Sequence, residues 1–354
     1  MQRSARNMRR GFKSSIFLFP LLTLMILVQT ITGCARKNDL KNLPKANFVV
    51  FQLFYSATIV AADQSKQIDT NIDCFSAAGL NPVIIKRSKG PEIVDALIGG
   101  SADFGTLANT PLVFQALQGT DIAIFATIHS SDHDIKVIGH KSAGITSGAS
   151  LRKKRVGYVG GTFGEIFLNR YLAKHGLGRG DISLTSAGPA QLRDLFLSKS
   201  LDVIIVWEPL IQDIMSDPAI AKNEIFFDID RSIYTGRIHL VAKPQTLRQK
   251  RKEAESLVKA LICGEELTQN NPDKVRKLLE AWLERDPDTL KEVFTPGDFH
   301  IELNVPILTK ELESEAEWAR DAIFSGKTQI PSDFSKYINT SILEAVAPDR
   351  LIKR

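Results

Sequence analysis

The sequence predicts an α/β protein of two lobes, each a mainly parallel sheet flanked by helices, with an all-helical C-terminal tail. Three observations carry that prediction. From Asn47 onward, short apolar runs alternate with amphipathic stretches, the rhythm of parallel strands joined by helices. The rhythm runs twice, and the two series share a fragment. Gly90-Pro91 opens one helix, with Asp103 thirteen positions after Gly90 at the mouth of an apolar strand; Gly188-Pro189 opens another, with Asp202 fourteen positions on. After Pro244 the apolar runs give way to helical periodicity.

In chain order, the first series places strands over 48–54, 82–86, 102–106, 122–127 and 135–139, with helices near 56–78, 91–98 and 111–118. The second places strands over 155–159, 182–185, 203–206, 225–228 and 238–242, with helices near 162–175, 189–199 and 209–215. The tail reads as helices over 247–269, 272–283, 287–294, 306–325 and 336–347, three of them opening with proline at the favoured first-turn position. Its closely spaced carboxylates, Glu311, Glu313, Glu315 and Glu317, read as solvated faces.

The charge is located rather than general. Of 45 Lys and Arg against 40 Asp and Glu, five cations and no acid lie in residues 1–34, so the remainder is formally neutral and gives no reason to expect nucleic acid as a partner. Arg3, Arg6, Arg9, Arg10 and Lys13 precede an apolar run from 16 to 32, too short for a comfortable membrane span and in the order of an export signal. The run ends in Ile31-Thr32-Gly33-Cys34, which resembles the lipobox of bacterial lipoproteins. That resemblance implies a signal peptide over 1–33, acylation of Cys34 as a membrane anchor, and a polar tether over 34–46. In an oxidising compartment Cys74 and Cys263 could pair, or remain two buried thiols.

Two similar lobes imply a cleft, and in open α/β sheets ligands lie at the carboxyl ends of strands. That rule nominates Tyr55-Ser56, the segment from Gly105 to Asn109 and Thr110, the loop Gly160-Gly161-Thr162-Phe163-Gly164, and Trp207-Glu208-Pro209. The glycine-rich loop offers backbone N–H groups and the Thr162 hydroxyl to an anion, read ahead of a plain helix cap; Thr110 reads as the N-cap before Pro111. Trp207 is read as ligand contact, Glu208 equally as contact or structure, and Arg237 as a cleft cation or a surface residue. His129 and His133 flank Ser130-Ser131-Asp132 between two strands with no third spaced ligand group, so no metal is expected, and His129 and Ser130 read as facing the cleft from a hinge strand. No cofactor is expected. A Gly-x-Ser-x-Gly elbow and a Cys/His signature are both missing, so no catalytic residue is nominated.

Read together, Ala78-Gly79-Leu80-Asn81-Pro82-Val83, Gly90-Pro91-Glu92, Ala102-Asp103-Phe104-Gly105, Asn109-Thr110-Pro111, Gly157-Tyr158-Val159-Gly160-Gly161-Thr162 and Val206-Trp207-Glu208-Pro209 resemble, in order, the solute-binding proteins of bacterial ABC importers. The subgroup is that for alkanesulfonates, taurine, nitrate and thiamine precursors. The resemblance implies a two-lobed periplasmic-binding-protein fold of type II, with lobe 1 over 47–134 and 241–354, lobe 2 over 135–240, and hinges near 132–136 and 234–240. It implies ligand contacts at Tyr55, Ser56, Asn109, Thr110, His129, Ser130, Thr162, Phe163, Trp207 and Glu208. It also implies a monomer that captures a small polar molecule without chemistry and delivers it to an ABC permease and, through it, an ATPase. Two alternatives stand beside that reading. One is a ligand-sensing or partner-binding lipoprotein without transport. The other is an enzyme like the thiamine-pyrimidine synthases of the same fold, whose cysteine-rich motif this chain lacks.

Overall fold

A computed structural model describes residues 42–353; the signal peptide over 1–33, Cys34 and most of the tether lie outside the described residues. Ten strands build two sheets: β1 (Lys45–Phe51), β2 (Asn81–Arg87), β3 (Phe104–Ala108), β4 (Ala123–Ser131), β5 (Ile135–His140), β6 (Arg155–Tyr158), β7 (Ser183–Ser186), β8 (Val203–Trp207), β9 (Ile225–Asp228) and β10 (Gly236–Ala242). Each overlaps a predicted strand, and strands buried on both faces, such as β8, read as continuous apolar runs.

The sheet orders are β2-β1-β3-β10-β4 and β7-β6-β8-β5-β9. Within each sheet only one strand runs against the rest, β10 in the first and β5 in the second. Each of these has crossed from the other lobe, so the sheets are mainly parallel, and the chain passes between them from β4 to β5 and from β9 to β10. β10 pairs along its whole length, from Gly236 to Ala242, in the first sheet. The repeated fragment has a physical meaning. Asp103 accepts from the backbone N–H of Asn47 at 2.9 Å, and Asp202 from that of Arg155 at 2.8 Å, so each aspartate satisfies the open donor of a neighbouring strand in its own sheet.

Helices depart from expectation where a side chain redirects the backbone. The stretch 56–78 breaks into Ala57–Asp63, Ser65–Ile68 and Cys74–Ala78, the last capped by Asp73, which accepts from Ser76 N. The segment 287–294 forms turns instead of a helix. Buried Glu280, paired with Arg276, accepts from the N–H groups of Asp288 and Leu290 and holds them out of helical register. The tail also holds two short parallel strands, β11 (Leu303–Asn304) and β12 (Leu351–Ile352), between its helices and turns. Among the described residues no helix is long and apolar enough to cross a membrane.

Cys74 and Cys263 form a disulfide, with Cα atoms 5.7 Å apart, that ties the Cys74–Ala78 helix to the long helix Arg251–Asn270. Beside it, a Cβ on Gly264 would meet the carbonyl oxygen of Thr58 at 2.1 Å, so the close approach of the Ala57–Asp63 and Arg251–Asn270 helices requires glycine. The helix Val305–Ala322 begins at Asn304, whose side chain accepts from Ile307 N. It buries Leu308, Leu312, Ala316 and Ala319, and its partly buried Trp318 packs against the cores of both lobes. That helix therefore spans the cleft.

Candidate functional site

At the strand ends nominated from the sequence, Ser56, Asn109, Thr110, Gly161, Thr162 and Glu208 already have partners. Ser56 is buried and donates to Phe51 O at 2.6 Å, an internal bond of the turn after β1. Tyr55 is buried beside His129, ring centroids 4.8 Å apart, and burial next to Asp134 and Glu208 pushes its phenol well above the usual tyrosine range. In the second lobe, Gly161 N–H donates to Glu165 at 2.9 Å, and the Thr162 hydroxyl donates to Val159 O and accepts from Gly164 N. The loop read as an anion cradle thus closes on itself as a helix cap, because Glu165 in the first turn supplies the acceptor. Phe163 and Trp207 pack on each other at 4.7 Å. Glu208 is buried and bonded to Lys136, and its carboxyl is raised by that burial against the opposing pull of the lysine. What remains open between Tyr55, His129, Asp134, Phe163 and Arg237 is a cavity of about 10 Å³, room for one water.

The rest of the cleft is filled by the Val305–Ala322 helix. Glu315 accepts from Asn109 Nδ2 at 3.2 Å, Thr110 Oγ1 at 3.0 Å and Tyr234 OH at 2.9 Å. Glu311 accepts from Arg237 Nε at 2.9 Å and Nη2 at 3.2 Å, while Arg237 Nη1 donates to Ser130 at 2.7 Å. Thr110 is accordingly no N-cap: the helix Asn109–Leu117 starts after Ala108 without a side-chain cap, and the hydroxyl crosses to Glu315. The reading of the tail carboxylates as solvated is corrected for Glu315, which is 1% exposed, and for part-buried Glu311. They are four apart and share a face with Leu308 and Leu312, a spacing visible in the sequence.

A second rank of residues holds these donors. His239 is buried at the centre of the first sheet and burial lowers its pKa to about 3, so the ring is neutral. Its Nε2 donates to Asn109 Oδ1 at 2.6 Å and its Nδ1 accepts from Thr127 at 3.0 Å, which turns the amide of Asn109 toward Glu315. Burial pushes Glu315 up to about 7, against the bonds from Tyr234, Asn109 and Thr110 and in the same direction as neighbouring Glu311. His239 and Glu315 were not among the residues nominated from sequence. Both owe their roles to neighbours remote in the chain.

Residues 72–275 match the NMT1/THI5 like family. The chain belongs to that family. Among curated relatives, a binding protein of Brucella abortus is 26% identical over 208 residues, 58% of this chain and 62% of the relative, and an aliphatic sulfonates-binding protein of Escherichia coli is 24% identical over 155 residues, 44% of this chain and 48% of the relative. These matches span less than two thirds of the relatives' lengths. Among solved structures, the periplasmic aliphatic sulphonate binding protein of Escherichia coli superposes with a TM-score of 0.68 at 14% identity, over 86% of this chain and 98% of the other. The periplasmic nitrate-binding protein of Synechocystis PCC 6803 gives 0.59 at 13% identity, over 87% and 89%. At such identities the likeness is one of fold, and it places this member of the family in the two-lobed periplasmic-binding architecture expected from its motifs.

Proposed function

We propose that this protein is the solute-binding component of an ABC importer, exported and held to a membrane through Cys34, which captures a small acidic solute between its lobes for a permease and its ATPase. The observation that carries this reading is the convergence of Asn109, Thr110, Tyr234 and Arg237 on two carboxylates that belong to a helix rather than to the walls of the cleft. Amide, hydroxyl and guanidinium donors arranged around acid oxygens suit a sulfonate, nitrate or carboxylate equally well. The solute takes the place of Glu311 and Glu315 as the Val305–Ala322 helix withdraws, and the lobes rotate about the β4–β5 and β9–β10 connections. The names of the sulfonate- and nitrate-binding proteins of like fold support the same ligand class.

Binding without chemistry is favoured over the enzyme alternative because Cys74 and Cys263 are joined, leaving no free thiol among the described residues. The helix in the cleft favours a second reading, in which a partner that takes the helix reads out occupancy and nothing is transported. A thermal-shift screen of the purified protein against sulfonates, nitrate, amino acids and pyrimidines separates the readings. The importer reading expects at least one acid to raise the melting temperature in a concentration-dependent way. If no small molecule does, that reading fails and partner binding takes its place.

A further inference from the structure

Where β4 leaves the first sheet, three side chains meet that the proposed function does not use. His129 from β4, Asp134 from the connection to β5, and Asp298 from the short turn Pro296–Asp298 each present one ligand atom, all within 4.8 Å of one another. His129 Nε2 stands 3.7 Å from Asp134 Oδ2, too far for a hydrogen bond. The imidazole is 1% exposed, enclosed by Phe54, Tyr55 and Phe299, and neither of its nitrogens has a hydrogen-bond partner. A buried polar group left unpaired is destabilising, so this ring is held in place at a loss unless something binds it.

The carboxylates are only partly compensated, each with a hydrogen bond from Ser131. Among the described residues no Lys or Arg lies within 4 Å of Asp134 or Asp298, whose ion-pair contacts are to His129 and to His133 Nε2, the latter at 3.2 Å from Asp298 Oδ2. Nearby Lys136 is taken by Glu208, and Arg231 by Asp132. The ring thus sits with both nitrogens unpaired, and two carboxylates face it with no Lys or Arg in contact with them.

We propose that His129, Asp134 and Asp298 bind a divalent transition-metal ion, with zinc the best fit. One imidazole nitrogen and two carboxylate oxygens neutralise a 2+ charge and form a mixed N/O set, which suits zinc, manganese or cobalt, whereas calcium and magnesium favour all-oxygen shells. Bond lengths near 2.0–2.2 Å require ligand atoms roughly 3.3–3.6 Å apart, so the widest separation must contract by about 1 Å, within reach of side-chain rotation. A cavity of about 430 Å³ lined by Ser131, Asp132, His133, Arg231 and Asp298 reaches the site at Asp298, and His133 or water completes the shell. The sequence showed two histidines and Asp134 here but not Asp298, which the fold brings in from the C-terminal region. An ion at this point ties the β4–β5 connection to that region.

The test uses the purified full chain, stripped with a chelator and titrated with Co²⁺ while visible absorption is followed, and with Zn²⁺ while melting temperature and metal content are measured. One ion per chain, cobalt bands of a nitrogen–oxygen site and a higher melting temperature with zinc are expected. Asp298→Asn keeps the side-chain shape and is expected to weaken zinc binding at least tenfold, with its melting temperature in chelator at or above that of the wild type; His129→Gln is expected to do the same. Should His129→Gln fail to fold, Asp298→Asn decides alone, or Asp134→Asn in its place. Less than one ion per chain at saturation, or affinity unchanged in Asp298→Asn, overturns the proposal.

Discussion

At one strand end of the first lobe Asn109 and Thr110 reach out to another element, whereas at the corresponding end in the second Gly161 and Thr162 turn back on their own. Asn109 and Thr110 donate to Glu315 on the cleft-spanning helix, but Gly161 donates to Glu165 four residues on, Thr162 caps its own helix, and Glu208 is bound by Lys136 of the adjacent strand. The sheets have corresponding strand orders and the same single reversed strand, so architecture does not make this difference. The partner does. A local cap has no other place to go, while a helix can leave and return its donors to a ligand. Under the proposed function, competition with solute therefore falls mainly on the first lobe, with Tyr234 the one donor to Glu315 from the second, which otherwise contributes shape through Phe163 and Trp207.

That contrast can be broken at several strengths. The disulfide closes 189 residues of chain and fastens the frame of the first lobe alone, so Cys263→Ser is expected to lower stability by on the order of 5 kcal/mol, measured by urea unfolding, with the second-lobe core intact. Next comes pH. Glu315 titrates near 7 when folded against 4.5 when free, so between those values the folded chain holds a proton the unfolded chain has released, and stability falls as pH rises through that window. Groups facing it are Glu311, Tyr234, Asn109 and Thr110, while His129 and His239, depressed to about 3, pull the pH dependence the opposite way below 6.5. The informative quantity is the stability of wild type minus that of Glu315→Gln, expected to drop by up to about 3 kcal/mol from pH 4.5 to pH 8. A difference that does not change with pH would mean the carboxyl is not buried in the cleft.

Smaller effects separate the lobes directly. Asn109→Ala leaves Glu315 short of a donor and His239 Nε2 without its acceptor, an expected loss of about 2 kcal/mol. Thr162→Ala removes only a local cap, an expected loss of about 1 kcal/mol. If the second loss equals or exceeds the first, the lobes are not used as described.

The strands were legible because each is an apolar run between turn residues, and the Asp103 and Asp202 fragments pointed to equivalent places in two sheets. Tyr55 and His129 are nominated for the cleft from the rule of strand ends and from the hinge strand, whereas the sequence leaves Arg237 open between cleft and surface. The occupants of the cleft were not legible. Glu311 and Glu315 look like any charged pair four apart until one notices that they continue the face of Leu308 and Leu312, and even then the sequence does not say what that face covers. The helix expected over 287–294 failed for a similar reason, since the acceptor that unwinds it, Glu280, belongs to the preceding helix.

The central claim is that the carboxylates of the Val305–Ala322 helix stand where an acidic solute binds. Isothermal titration of methanesulfonate, taurine and nitrate into wild type and into the Glu311→Ala/Glu315→Ala double variant tests it most directly. Removing the internal competitors is expected to tighten binding of at least one of these acids tenfold or more, with the fold retained by circular dichroism. Binding that is unchanged or weaker in a folded double variant would contradict the claim.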